Sequence, residues 1–347
     1  MGVGATDVLI VDELRVTVIV DNESDTLSTV DEGVFQVPES ASLLQREPAD
    51  FEHDGHPAVD VFSHLCVACH GLSVLVTARH EGDSRTLLFD VGPDGDLWLG
   101  NAERLAIDLA SIDTVFLSHW HADHSGGFPR VVRAISEARA SAGRPAPVVD
   151  LHPDRPDQRG LHLPSGTVAL LPPEPSFDDI VAAGGAVHRH AEPHDVSRRF
   201  YASGMIDRVT AYETGQPGHV SFRDGEMSSD PLIADERFVA VHVRDRGVSI
   251  LSACSHAGIV NVCLAARAAF PGVPIDMVLG GFHLAGAAVE PRIAATVDDL
   301  ADIIGPGLVA PGHCTGWRAK AALAARFAPG RYGPSAVGTR YVLAAPS

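Results

Sequence analysis

The six residues His119-Trp120-His121-Ala122-Asp123-His124 place three imidazoles and a carboxylate side by side. Neutral imidazole and carboxylate are ligand types that suit Zn2+ and related divalent ions. His119 and His121 stand two apart, so an extended backbone turns both to one side. Asp123 and His124 then face a neighbouring point, which makes room for two close ions. The run closes an apolar, β-branched stretch, IDTVFLSH (112–119), so it sits at a strand end and not in a polar surface loop. Ser125-Gly126-Gly127 follows, and its glycines are expected to supply the backbone freedom for a turn into a helix. Two cations about 3.5–4 Å apart bind a nucleophile and polarise an electrophile together, and they bring the pKa of a bound water from ~15.7 toward ~7.

A second stretch competes. Cys66-Val67-Ala68-Cys69-His70 spells C-x-x-C-H, a haem attachment pattern. Covalent haem attachment belongs to exported proteins. The N-terminal stretch MGVGATDVLIVDELRVTVIVDN lacks a basic segment, and Asp7, Asp12, Glu13 and Arg15 interrupt its apolar run. It reads as neither signal peptide nor membrane span. No second C-x-x-C completes a zinc site. The plainer reading makes Cys66 and Cys69 small apolar residues leading into a strand, and makes Cys254, Cys263 and Cys314 buried apolar residues. The chain is expected to be cytoplasmic with its cysteines reduced.

With 347 residues and 45% hydrophobic content, the chain is long enough for a large core. A net charge of −19 argues against nucleic acid or an anionic membrane as partner, since both need a basic face. A small-molecule substrate remains, an anionic or phosphorylated one included, because a bound metal reverses the local field. Arg198, Arg199 and Arg208 are candidates to meet a phosphate. Oligomeric state is open, a homo-oligomer included.

The elements that must position the motif are short apolar strands alternating with helical patterns. Strands are predicted over 15–21, 72–78, 86–92, 112–119, 147–153, 238–243, 247–254, 275–281, 308–313 and 338–344. Helices are predicted over 127–142, 257–270, 292–304 and 315–328. Residues 154–237 are rich in Pro, Asp, Arg and His and read as an irregular insertion over the site, within a single domain spanning 1–347. Mixed strands and helices without strict alternation point to an α/β (α+β) arrangement of layered sheets flanked by helices.

On the motif SHWHADHSGG (118–127) the chain resembles the metallo-β-lactamase superfamily, which implies a four-layered αβ/βα sandwich. HGLS (70–73), DVG (90–92), GHVSFRDG (218–225), DPLIAD (230–235), CSHAGIVN (254–261), GGFHLAG (280–286) and PGHCTGW (311–317) narrow the resemblance over about residues 15–345. They look like the branch of metal-dependent hydrolases of β-lactamase superfamily II that includes 7,8-dihydropterin-6-methyl-4-(β-D-ribofuranosyl)aminobenzene-5′-phosphate synthase-like proteins. The resemblance implies further ligands at later strand ends, where His256, His283 and His313 stand, and a hydrogen-bonding support role for Asp90. It implies one ion on His119, His121 and His256 and another on Asp123, His124 and His313. The ions are expected to be Zn2+, with Mn2+ and Fe2+ also suited. Where many relatives carry a bridging Asp, this chain has His283, which cannot bridge two cations. His283 therefore ligates one ion or faces substrate, or the second metal site is weak. Asp123 is expected to orient the nucleophilic water, and His283 joins it as a catalytic candidate. His70 either faces the site or begins a strand.

The implied function is a metal-dependent hydrolase of a small-molecule phosphoester, ester or lactone-like bond. Two alternatives stand beside it: a condensing enzyme on a pterin phosphate, and a non-catalytic metal- or ligand-binding protein on the same fold. No G-x-S-x-G motif supports a serine-hydrolase route.

Overall fold

The computed structural model describes residues 8–31, 34–36, 49–327 and 329–345, so the first seven residues of the N-terminal stretch lie outside it. Two sheets dominate. The first runs, edge to edge, Ala186–Arg189, Val148–Leu151, Thr114–Phe116, Asp83–Phe89, Ser73–His80, Glu13–Val20 and Arg340–Ala344. From Asp83–Phe89 to the Ala186–Arg189 edge its pairs are parallel, and the rest are antiparallel. The second sheet runs His194–Val196, Phe200–Ala202, Val239–Val243, Gly247–Ser252, Ile275–Gly281 and Leu308–Gly312. Its last three strands are parallel.

Side-chain alternation gives each sheet two apolar faces. Val16, Val74, Val76, Phe89 and Phe116 of the first sheet share one buried cluster with Val239, Val241, Met277 and Leu279 of the second. On the outer face of the first sheet, Leu88, Val115 and Val149 pack against Trp98 of the helix Gly95–Arg104 and Val131, Val132 and Ile135 of the helix Phe128–Ser141. On the outer face of the second, Val248, Ile250 and Val278 pack against Val262 and Ala266 of the helix Ile259–Ala269 and Leu323 of the helix Trp317–Phe327. Helix, sheet, sheet and helix thus make the four layers that the sequence led us to expect. Each such apolar side chain contributes about 1.5–3 kcal/mol by leaving water. A register shift between Val18 and Val20 turns Ile19 and Val20 out of the central cluster into the outer one.

The segment 154–237 corrects the sequence reading, because it is not irregular. Ala186–Arg189 extends the first sheet in parallel with Val148–Leu151, and His194–Val196 with Phe200–Ala202 closes the edge of the second. Gln158–His162, Val168–Leu170, His219–Arg223 and Glu226–Ser229 form a separate four-stranded antiparallel sheet. A helix, Phe177–Ala182, starts at a Ser176 capping box. These strands are three to five residues long and pair with distant segments, so they leave little local periodicity to read. Among the described residues, no helix is long and apolar enough to cross a membrane.

Candidate metal centre

Four loops that carry candidate ligands leave strand ends. The His119–His124 loop follows Thr114–Phe116, His256 follows Gly247–Ser252, His283 follows Ile275–Gly281 and His313 follows Leu308–Gly312. Within the first loop Trp120 points away from its flanking histidines into the outer core, and its indole N–H donates to the carbonyl of His152 at 3.0 Å. That anchor leaves His119 and His121 on the opposite side. Gly126 and Gly127 are needed for space and not for unusual dihedrals: their φ values are −61° and −76°. A Cβ on Gly126 would lie 2.3 Å from the Pro93 carbonyl oxygen, and one on Gly127 would lie 2.6 Å from that of Val91.

The first group of ring nitrogens is fixed by its outer hydrogen bonds. Ser118 Oγ donates to Asp90 Oδ2 at 2.7 Å, so it accepts from His119 Nδ1 at 2.9 Å and leaves His119 Nε2 as a lone pair. On the other side His219 Nδ1 donates to the Asp230 carbonyl at 2.9 Å. Its Nε2 therefore accepts from His121 Nε2 at 2.9 Å, and His121 Nδ1 is also a lone pair. His119 Nε2 and His121 Nδ1 face each other at 2.9 Å, and His256 Nε2 comes within 3.2 Å of the same His121 atom. Converging lone pairs fit a divalent cation. Burial, reinforced by the neighbouring rings, holds His119, His121 and His256 well below the ordinary histidine range, so all three are neutral.

Asp123, His124 and His313 form the second group, and Cys254 joins them. Asp123 Oδ2 lies 3.3 Å from His313 Nε2 and 3.6 Å from His124 Nε2. His313 Nδ1 donates to Asn22 Oδ1 at 3.0 Å, which turns a lone pair on Nε2 toward Asp123. His124 Nε2 is 3.2 Å from Cys254 Sγ. Sequence reasoning took Cys254 for an apolar residue; its place two residues before His256 was the available signal. Burial opposes a proton on His124, but the Asp123 and Asp90 carboxylates overcome it and push its pKa up to about 9. The Asn22 amide also donates to His70 Nδ1 at 3.0 Å, so His70 Nε2–H faces Asp123 Oδ2 at 3.4 Å. Of its two readings, His70 takes the site-facing one, while Cys66 is buried in the outer core with Cys69 packed against it.

Carboxylates clamp the loops that carry these groups. Asp90 Oδ1 accepts from Ser118 N at 2.7 Å, Asp235 from Trp120 N at 2.7 Å and Asp21 from His313 N at 2.9 Å. Glu236 accepts from both His256 N and Ala257 N at 2.7 Å. Asp21, Asp235, Glu236 and His219 were not singled out from sequence. Asp90, Ser255, His283 and His313 all adopt positive φ, a conformation that costs on the order of 1 kcal/mol or more each and persists where surroundings enforce it. Asp90 holds both Ser118 and, at 2.8 Å, His124 Nδ1. Asp90→Asn is therefore expected to weaken divalent-metal affinity about 10–100-fold, read by competition with a chelating dye. An unchanged affinity would remove Asp90 from this role.

His283 stands outside both groups. Its Nε2 contacts Gln216 Oε1 at 2.7 Å, its ring centroid is 4.4 Å from that of His256, and it clusters with Cys254 and Cys314. All these residues open on a cavity of about 870 Å3, walled on one side by Leu161, Ala169, Leu171, Pro172 and Pro173. Among the described residues lining it there is no Lys or Arg. Arg199 instead bonds Asp83 at 3.1 Å, and Arg208 bonds the Leu232 carbonyl, so the arginines expected to meet a phosphate are not at the cavity.

Comparison with known proteins places the family and the fold. A family model described as the metallo-beta-lactamase superfamily matches residues 67–313. The 7,8-dihydropterin-6-methyl-4-(beta-D-ribofuranosyl)-aminobenzene-5'-phosphate synthase of Methanocaldococcus jannaschii is 28% identical over 254 residues, 72% of this chain and 82% of that protein. A solved metal-dependent hydrolase of the beta-lactamase superfamily superposes with a TM-score of 0.65 at 22% identity, over 96% of this chain and 100% of the other. The metallo-beta-lactamase fold protein YhfI from Bacillus subtilis gives 0.49 at 12% identity, over 95% and 99%.

Proposed function

Because the chain belongs to the metallo-β-lactamase superfamily and is by that membership a metallo-hydrolase, we propose that it cleaves a small-molecule ester or lactone-like bond at a two-cation centre. One cation, Zn2+ in this reading, is held by His119 Nε2, His121 Nδ1 and His256 Nε2. The other is held by Asp123, His124 and His313, with Cys254 beside them. The observation that carries the proposal is the pair of facing lone pairs on His119 and His121, fixed from outside by Ser118 and His219. Bound there, the cations supply Lewis acidity and a nucleophile available near neutral pH.

The chain's own groups do the rest. Asp123, steadied by His70 Nε2–H, orients the attacking water. His283 faces the substrate, with a buried Nδ1 that has no hydrogen-bond partner among the described residues. The leucine, alanine and proline wall excludes water and accepts an apolar acyl or alkyl portion. With no cationic side chain among the described lining residues, a phosphoester has the cations alone to neutralise it.

A panel of carboxylic esters, lactones, phosphomonoesters and phosphodiesters tests the reading. Hydrolysis of esters or lactones, abolished by a chelator and restored by Zn2+, is the expected result. Cleavage of phosphoesters alone would overturn the substrate class. The identity to the synthase favours a second reading, condensation on a pterin phosphate ester. Turnover of such a compound, with no hydrolysis anywhere in the panel, would establish it in place of the first. Metal binding without any turnover would leave a binding protein.

A further inference from the structure

Asp150, His190 and His194 lie outside the cavity just described. Asp150 is on the first-sheet strand Val148–Leu151, and His190 follows that sheet's edge strand Ala186–Arg189. His194 opens the edge strand His194–Val196 of the second sheet. The 190–194 connection therefore steps from one sheet to the other. His190 Nδ1 and His194 Nε2 both approach Asp150 Oδ2, at 2.9 and 2.8 Å.

With both rings neutral, the protons at this cluster do not close. His194 Nδ1 is 3.1 Å from the Glu192 carbonyl, which accepts only, so that nitrogen carries the proton. In a neutral ring Nε2 is then a lone pair aimed at a carboxylate oxygen. Arg237 Nη1 already occupies Asp150 Oδ1 at 2.8 Å. A cation between the three inner atoms resolves the conflict. We propose that Asp150 Oδ2, His190 Nδ1 and His194 Nε2 form a peripheral divalent-cation site of the Zn2+ type, distinct from the catalytic centre.

Two histidines and one carboxylate are a common ligand set for Zn2+ and Fe2+. The outer contacts match what such ligands need: a carbonyl on the far nitrogen of His194 and a guanidinium on the far oxygen of Asp150. Burial lowers the pKa of Arg237, and the carboxylates of Asp150, Asp235 and Asp90 oppose that shift. Asp150 is 3% exposed, His194 14% and His190 38%, which leaves an open side for the ion and its water. An ion here pins the edge of the first sheet to that of the second. Arg237, which also donates to the Leu117 carbonyl at 2.8 Å, stands between this clamp and the catalytic loop.

The test uses Zn2+ alone on the full chain. Wild type and the His190→Ala/His194→Ala variant are dialysed against micromolar zinc and their zinc counted by elemental analysis. Wild type is expected to hold one equivalent more than the variant. Equal counts overturn the proposal. Zinc-edge anomalous diffraction from wild-type crystals serves if the variant does not fold. A peak within about 2.0–2.2 Å of the three inner atoms is expected. Its absence would overturn the proposal.

Discussion

Replacing His121 with alanine is expected to remove about one equivalent of divalent metal and to lower kcat/KM by roughly three orders of magnitude. His121 Nδ1 is the atom on which the other two ring nitrogens of its group converge. Without it, His119 and His256 remain as two neutral ligands, too few to hold a cation against solvent at ordinary concentrations. Loss of several kcal/mol of charge stabilisation at the reacting carbonyl follows, at about 1.4 kcal/mol per tenfold. A His219→Gln variant provides the contrast. It disturbs the outer hydrogen bond to His121 Nε2, and with it the bond to the Asp230 carbonyl, so metal affinity should fall about 10–100-fold with the ligand set intact. Elemental analysis beside turnover separates the two. An unchanged metal count in His121→Ala would take His121 out of the centre and with it the proposed mechanism.

The residues of the candidate centre were legible in the sequence because their signal is local. His119 to His124 occupy six consecutive positions after an apolar strand, and His256, His283 and His313 each follow a strand whose pattern is also local. The groups that aim those ligands carry no such signal. Asp21 reaches His313 across 292 positions and Asp235 reaches Trp120 across 115. Nothing about an isolated acid announces that its carboxylate will meet a distant backbone amide. DPLIAD (230–235), which ends in Asp235, carried part of the resemblance, but no role attached to that carboxylate. Arg237 shows the same limit: it is fully buried, it stacks 4.3 Å over the ring of Phe116 and it bonds Asp150, although an arginine is ordinarily read as surface. The segment 154–237 was misread for a related reason. Strands of three to five residues gain their order from partners elsewhere in the chain, and proline and glycine between them imitate a loop.

The two cation groups should also respond differently to pH, and the sign follows from their surroundings. His124 in the metal-free chain keeps its second proton up to about 9, because Asp123 and Asp90 outweigh burial. Ligation through Nε2 displaces that proton, so below this pKa every ion bound at the second group releases one. Its apparent affinity should rise about tenfold per pH unit from about pH 6 and level off near pH 9. Burial keeps His119, His121 and His256 neutral well below that window, so the first group should bind with nearly constant affinity across it. Co2+ titrations followed by absorbance in wild type, and in His121→Ala where only the second group is intact, resolve the two profiles. The slope carries further information. Burial pushes the Cys254 thiol well above its ordinary range, so a Cys254 that ligates as thiolate must give up a second proton. A slope near two in log affinity per pH unit therefore identifies Cys254 as a ligand, and a slope near one leaves it a neighbour. A flat profile at the second group would mean that His124 binds no ion, and the two-cation centre would fall to one.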